Sequence, residues 1–118
     1  MGDRATVQII LNEDYSPLIY AHWAGCRTLD IIQAAAPHMR SGDLAYAFAR
    51  LVGHFHNQTG GDGEALSLGV SNAEKAFGED LVGDAGHFRI DLANGVVRNW
   101  THDHEGIVVA DALVFYRN

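Results

Sequence analysis

Two helical patterns follow one another in this sequence with no strand between them, and this order restricts the fold more than any other feature. The first begins near Thr28, a suitable N-cap residue, and ends at Pro37, which lacks an amide hydrogen. The second spans about residues 43–57. Its apolar side chains recur at helical spacing: Leu44, Phe48, Leu51 and Phe55. Alternating βαβ units would place a strand between the helices, so this order predicts an α+β fold.

Segments of alternating polarity flank the helical pair and predict the strands. Five of them cover residues 4–11, 18–23, 65–70, 87–93 and 96–100. The first two are joined by a short, turn-rich segment and form a β-hairpin. Residues 107–116 favour strand at their start and helix further on, so we expect a short strand that runs into a helical turn. Residues 1–118 are therefore predicted to form a single α+β domain, with a mostly antiparallel sheet of five or six strands and the two consecutive helices on one face.

The second predicted hairpin has the strongest local turn signal. The Asn-Gly pair at residues 94–95 suits a two-residue type I′ turn. Such a turn places Asp91 opposite Arg98, as a cross-strand ion pair, and Arg89 opposite Trp100. Arg89 would then lie over the Trp100 ring. The aliphatic side chains fall on the opposite, core-facing side: Ile90, Leu92 and Val97.

The charge of the chain is unevenly distributed. The formal net charge is −7, of which residues 1–59 contribute −1 and residues 60–118 contribute −6. Direct binding to nucleic acid is disfavoured, because contact with the phosphate backbone needs a basic surface that releases counterions. The acidic half is typical of a solvated surface, and it also suits contact with a basic surface on a partner protein.

Cysteine use and hydropathy indicate a cytoplasmic protein. Cys26 is the single cysteine, so no intrachain disulfide can form. No apolar run approaches the roughly 18 to 20 residues that a membrane helix needs, and no signal-peptide pattern opens the chain. We therefore expect residence in the cytoplasm and no membrane partner.

The end of the second strand carries the best candidates for a binding or catalytic site. Alternation places His22 on the same face as Tyr20 and sends Trp23 to the other face. Antiparallel pairing brings Arg4 across from the end of this strand. In this arrangement His22 could act as a general base or hydrogen-bond donor, and Arg4 could hold an anion. The alternative is a half-buried sheet surface with satisfied polar groups, in which Trp23 is structural.

Two His-x-His pairs are weaker candidates for a metal site. On a strand, His102 and His104 would share a face and could reach one metal together with an adjacent carboxylate. On a helix, His54 and His56 would diverge by about 200°. The alternative is solvated loop and helix-end histidines. Neither a metal nor another cofactor is expected.

Asp-Arg-Ala at residues 3–5 and Tyr-x-His-Trp-x-Gly at residues 20–25 resemble the pattern of a loose family of small hypothetical proteins in phage and bacterial genomes. A glycine-containing strand of that family is similar to residues 66–71, so the resemblance covers the first 71 residues. It implies a phage or mobile-element setting and no particular activity. It also directs attention to Arg4, Tyr20, His22, Trp23 and Gly25.

Three hypotheses for function follow. The favoured one is a small cytoplasmic binding protein without catalysis that acts on a host protein, such as a host-defence inhibitor. It rests on the size, the acidic second half and the absence of phosphate-loop, nucleophile-elbow and metalloprotease motifs. The alternatives are an enzyme or anionic-ligand-binding module centred on His22 and a histidine-based metal-binding protein. An exposed edge strand, or an outward-facing Trp23, would also allow a homodimer.

Overall fold

The computed structural model describes residues 4–21, 27–58, 68–71, 85–101 and 103–116. Within these ranges, the elements in chain order are β1 (Ala5–Leu11), β2 (Asp14–Tyr15), β3 (Leu18–Ala21), α1 (Thr28–Ala35), a 3₁₀ turn (Ala36–His38), α2 (Leu44–Gln58), β4 (Leu68–Ser71), β5 (Gly86–Asp91), β6 (Val96–Trp100) and β7 (Ile107–Ala110). The predicted α+β class and the two consecutive helices are confirmed. β4 confirms the third predicted strand from residue 68 onward, and residues 65–67 lie outside the described ranges. Neither described helix combines the length and the apolar composition that crossing a membrane requires.

The described strands form one mixed sheet in the order β4-β3-β1-β5-β6-β7, with β2 paired to the last residues of β1. β1 and β5 run parallel, and the other described pairings are antiparallel. The sheet is therefore mostly antiparallel, as predicted, but a parallel pair lies at its centre. Parallel neighbours cannot be joined by a tight turn. Here both helices and β4 lie between them in the chain.

The hydrophobic core lies between one face of the sheet and the two helices. Alternate residues of β1 enter it with no exposed surface: Ala5, Val7 and Ile9. The predicted stripe of α2 is confirmed, since Leu51 and Phe55 are fully buried and Leu44 and Phe48 pack against the same core while partly exposed. Burial of each large apolar side chain contributes about 1.5–3 kcal/mol. This stripe therefore accounts for much of the attachment of α2 to the sheet.

The two helices begin differently. Arg27, not Thr28, is the N-cap of α1, and it makes no side-chain capping hydrogen bond. The predicted start of the helix near Thr28 is confirmed, but the cap assignment is wrong because Thr28 is the first helical residue, where it is fully buried. α2 starts as predicted, with Asp43 as its cap. Asp43 Oδ1 accepts a hydrogen bond from the Tyr46 amide at 3.0 Å, and the Asp43 carbonyl accepts one from the Ala47 amide at 2.9 Å.

The β5–β6 hairpin has a longer turn than the Asn-Gly pair predicts. Residues 92–95 form a four-residue turn. Arg89 consequently lies opposite Arg98 instead of Trp100, and Asp91 does not face Arg98. The predicted register of this hairpin is therefore wrong, while the predicted core side is right. All three aliphatic residues expected there are fully buried: Ile90, Leu92 and Val97.

The Asp91 carboxylate explains the longer turn. Its Oδ1 atom accepts hydrogen bonds from the Ala93 amide at 3.1 Å and the Asn94 amide at 3.2 Å. The Asp91 carbonyl accepts the Gly95 amide at 2.8 Å. Gly95 has φ +70°, which glycine adopts without strain. The side-chain hydrogen bonds of Asp91 thus favour a four-residue turn over the two-residue alternative.

The segment after β7 crosses from the sheet to the helices. β7 confirms the predicted strand, whereas residues 111–115 contain no helical turn. The Leu113 amide donates to the Gly95 carbonyl at 3.1 Å, and the Tyr116 amide donates to the Met39 carbonyl at 2.8 Å. These amides bond to distant parts of the chain rather than to a preceding turn, which is why the helical expectation fails.

Candidate functional site

Four side chains from neighbouring strands lie at one level across the sheet and form what we call the cross-strand row. Tyr20 of β3 pairs with Thr6 of β1, and Thr6 pairs on its other side with His87 of β5. His87 in turn pairs with Trp100 of β6. Because Val7, the next residue of β1, enters the core, the row lies on the face away from the helices. Tyr20 is 36% exposed, whereas Thr6 and His87 are buried.

His87 is enclosed within this row. Its Nδ1 atom lies 2.9 Å from the Thr6 hydroxyl oxygen, and its ring centroid lies 5.8 Å from that of Trp100. Burial, and secondarily the charge of Arg89, lower the pKa of His87 from 6.5 to about 3. At neutral pH the imidazole is therefore unprotonated, but its low pKa makes it a weak base and its burial makes it inaccessible, so it lacks two properties that a general base needs. His87 was not among the predicted site residues, although the alternation in residues 87–93 places it on the same face as Arg89.

Arg89 lies between two aromatic rings on this face. Its guanidinium carbon is 4.9 Å from the centroid of Trp100 and 5.8 Å from that of Tyr15. The predicted stacking of Arg89 on Trp100 is confirmed, although the two are diagonal rather than opposite neighbours. Burial lowers the pKa of Arg89 and Tyr15 raises it, and a guanidinium remains charged under such conditions. Tyr15 belongs to β2, a missed strand that is held where Ser16 Oγ accepts the Ile9 amide at 2.9 Å.

The residues predicted as a ligand site begin at one end of the β1–β3 pair. Ala5 lies opposite Ala21, which confirms the predicted hairpin and places Arg4 beside the end of β3. Arg4 is exposed, and Tyr20 lies on the face expected from alternation. The structure therefore brings Arg4 and Tyr20 to the same end of this pair. The remaining residues of the prediction lie outside the described ranges: His22, Trp23 and Gly25.

The two His-x-His pairs occur in different settings. α2 continues past both His54 and His56, so their side chains diverge around the helix as predicted. His104 Nε2 lies 2.9 Å from Asn99 Oδ1, a hydrogen bond that holds this imidazole against β6. His102 lies outside the described ranges. Among the residues that are described, no three His, Cys, Asp or Glu side chains are grouped as metal ligands.

The turn before β7 is fixed against the cross-strand row. Arg98 Nη1 donates to the Gly106 carbonyl at 2.9 Å. The Trp100 ring lies directly beside Gly106, where an added Cβ would be 3.0 Å from Trp100 Cζ2. Gly106 has φ +66°, so both space and backbone conformation favour glycine here. The start of β7 is thus held by Arg98 and lies against Trp100 of the row.

β7 lies at one edge of the described sheet. Its most exposed side chains are apolar, and an acidic residue lies near each end of the strand. Ile107 is 45% exposed and Val108 is 47% exposed. Exposed Glu105 precedes the strand and exposed Asp111 follows it. The register between β6 and β7 shifts by one residue at Val109, so the exposed pair lies before a bulge. An exposed edge strand was expected from the sequence, but the exposed pair Ile107 and Val108 was not predicted.

The cross-strand row and the β7 edge are the candidate functional surface. Within the row, the His87 side chain is fully buried, whereas β7 presents accessible apolar side chains flanked by negative charge. A buried imidazole that a substrate cannot reach does not suit catalysis, whereas an apolar edge strand suits binding. Comparison of the chain with known proteins finds no matching family model, no matching curated protein and no matching solved structure.

Proposed function

We propose that this chain is a small, non-enzymatic binding protein whose β7 edge pairs with an extended segment of a partner protein. The observation that carries the proposal is the exposed apolar pair Ile107 and Val108 at the end of the described sheet. An edge strand presents backbone amide and carbonyl groups to which another strand can add. Backbone hydrogen bonds then supply affinity, and the alternating side chains supply specificity.

The side chains of β7 do not include those that commonly protect an edge strand, although the strand is short and contains a bulge. Soluble proteins commonly place lysine, proline or an inward-pointing charge on such strands, or cover them. The sequence of β7, Ile107–Ala110, contains no lysine, no proline and no charge. The bulge at Val109 limits regular pairing to a short stretch. We therefore expect the partner to pair over a few residues and to gain further affinity from contacts at the ends of the strand.

The acids at the two ends of β7 indicate the chemistry of the partner. Antiparallel pairing of two copies of β7 would bring Glu105 of one copy near Asp111 of the other. Like charges in such positions are destabilising, by about 0.2–1 kcal/mol for each pair. A segment with apolar residues between lysines or arginines avoids this repulsion and adds attraction. The proposed occupant is therefore a basic-flanked strand of another protein, not a second copy of this chain.

The resemblance to small phage and bacterial proteins suggests where that partner belongs. A phage or mobile-element setting favours a cytoplasmic host protein as the partner. Inhibition of a host-defence component would be one consequence of such binding. The acidic second half of the chain, with a balance of −6, supports a basic partner surface. Burial of His87 supports binding rather than catalysis on this face.

The proposal is tested with two synthetic peptides and the full chain, by fluorescence anisotropy. Both peptides contain Thr-Val-Thr-Val; one is flanked by lysines at both ends and the other by glutamates. The lysine-flanked peptide is expected to bind, more weakly as salt rises, and the glutamate-flanked peptide is not. V108K should weaken binding by about tenfold or more, because it places a charge against the added strand.

The matched control is V114K, which adds the same charge beyond β7 at a side chain that is 73% exposed. It should leave binding within about twofold of the wild type. Equal binding of both peptides, or equal effects of the two variants, would contradict the proposal. A wild-type dimer in sedimentation velocity that V108K dissociates would instead assign the edge to a second copy.

A further inference from the structure

A cluster of basic and aromatic side chains lies on the helix side of the molecule. We call it the basic groove, formed by His38, Arg40, Tyr46, Arg50, His54 and Tyr116. Four of these residues line a cavity of about 220 Å³: His38, Tyr46, Arg50 and Tyr116. The chain has only eight lysines and arginines and a net charge of −7, so two arginines around one ring are a marked local concentration of positive charge.

Tyr46 is the centre of the groove. The guanidinium carbons of Arg40 and Arg50 lie 4.2 and 4.9 Å from its ring centroid. Arg50 Nη2 also donates to the Tyr46 hydroxyl at 2.7 Å. On the other side, the Arg40 guanidinium carbon lies 5.7 Å from the Tyr116 centroid. Because the two guanidinium carbons lie 4.2 and 4.9 Å from one ring centroid, they are at most about 9 Å apart, a range over which one anion interacts electrostatically with both charges.

Three separate parts of the fold hold these side chains together. Tyr46, Arg50 and His54 follow one another at intervals of four residues, so they share one face of α2. His38 ends the 3₁₀ turn, and its ring centroid lies 5.0 Å from that of His54. Tyr116 is brought in by the segment after β7, through the backbone hydrogen bond of its amide. The groove is therefore built into the fold rather than formed by one flexible segment.

Among the residues that the structure describes, no acid forms an ion pair with an arginine of the groove. Within the described ranges, the recorded contacts of the Arg40 and Arg50 guanidinium groups are with tyrosines, and neither forms an ion pair. Arg40 Nε is buried and makes no hydrogen bond to described residues. Asp43, the acid nearest in sequence, directs Oδ1 to the cap of α2. A bound anion would offset the cost of burying part of the Arg40 guanidinium group without a hydrogen-bond partner.

We infer that the basic groove binds a phosphate monoester. The planar donor fork of arginine matches the oxygen atoms of a phosphate group, and the dianionic charge suits two guanidinium groups. Tyr116 is 48% exposed and offers a flat apolar wall for the ester group. The cavity is a local depression and not an extended basic surface, which favours a small ligand. The inference does not depend on the proposed partner at β7.

Isothermal titration calorimetry of the full chain at constant ionic strength tests this inference. The probes are inorganic phosphate, phenyl phosphate and acetate. Phenyl phosphate should bind more tightly than inorganic phosphate, and both more tightly than acetate. R50Q should weaken phosphate binding by about tenfold or more, because it removes a charged donor. R50K keeps the charge but not the donor fork, so its affinity should fall between those of R50Q and the wild type.

The matched control is R27Q, which removes the same charge from a residue that lines a separate cavity beside Asp30. It should change affinity by less than about twofold. In the wild type, phosphate should shift the NMR signals of His38, Tyr46 and Tyr116, a readout that needs no variant. Equal losses for R50Q and R27Q, equal affinity for acetate, or shifts outside the groove would each overturn the inference.

Discussion

The hydroxyl oxygen of Thr6 and the Nδ1 atom of His87 lie 2.9 Å apart, although 81 positions separate the two residues in the chain. Both residues are buried, and they belong to the parallel strands at the centre of the sheet. Water cannot replace a hydrogen-bond partner at such a position, so this contact contributes more than an exposed one would.

Replacement of Thr6 tests that contribution. Thr6→Val keeps the shape of the side chain but removes the hydroxyl, and it should lower the free energy of unfolding by about 1–3 kcal/mol. Thr6→Ser retains the hydroxyl and loses a methyl group, so it should cost less. Urea denaturation at neutral pH measures both changes. A larger loss for the serine variant would assign the role of Thr6 to its methyl group instead.

Stability should depend on pH through His87. The pKa of this residue is about 3 in the folded protein and 6.5 in its ordinary state. Between these values the unfolded chain binds more protons, so acidification favours unfolding. The contribution of His87 is fully present above about pH 6.5 and is lost as the pH falls towards about 3, by up to about 1.4 kcal/mol per pH unit.

The His87→Gln variant separates this effect from the titration of the carboxylates, which both proteins share. Because glutamine does not titrate, the variant should lose less stability than the wild type between about pH 7 and pH 4. Urea denaturation at several pH values gives the difference between the two proteins. Parallel stability curves over this range would contradict a neutral, buried His87.

Two glycine-to-alanine substitutions should have opposite effects. Gly86 has φ +92°, and an added Cβ would collide with the backbone oxygen of Trp100. Gly86→Ala should therefore destabilise the protein by about 1–3 kcal/mol. Gly53 lies inside α2 with nothing within 4 Å of the added atom, so Gly53→Ala should stabilise it by about 0.5–1 kcal/mol. Thermal unfolding of both variants gives the sign of each change in stability. Two changes of the same sign would contradict the backbone environment assigned to one of these glycines.

The elements that could be predicted from the sequence are those with their own periodicity. The stripe through Leu51 and Phe55 identified α2, and alternation around Val7 identified β1 and its hairpin partner. The parallel pairing of β1 with β5 could not be predicted, because the two strands are far apart in the chain and no local pattern records which strand will be the neighbour. The β5–β6 register failed for a different reason. Asp91 stabilises a competing turn with its own side chain.

The surface features also divide into those that a local sequence pattern predicts and those that depend on contacts between distant parts of the chain. The contact of Arg89 with Trp100 was predicted from the wrong register, and it is confirmed because alternation keeps both side chains on one face of the hairpin. Tyr15 was missed because β2 is only two residues long and depends on the hydrogen bond that the Ile9 amide donates to Ser16 Oγ rather than on a strand pattern. The basic groove required the position of Tyr116, which a tertiary contact places beside Arg40.

The interior position of β1 also has a consequence for how the protein folds. β1 lies between β3 and β5, so only one of its two edges can be satisfied by the nearby hairpin. Its other edge pairs with a strand 81 positions further along, and closing a loop of that size requires a large loss of chain entropy. We therefore expect the rate of folding to be set by docking of β5, after the helices have formed. During synthesis, the edge of β1 that faces away from β3 would remain open until residues 86–91 had been added.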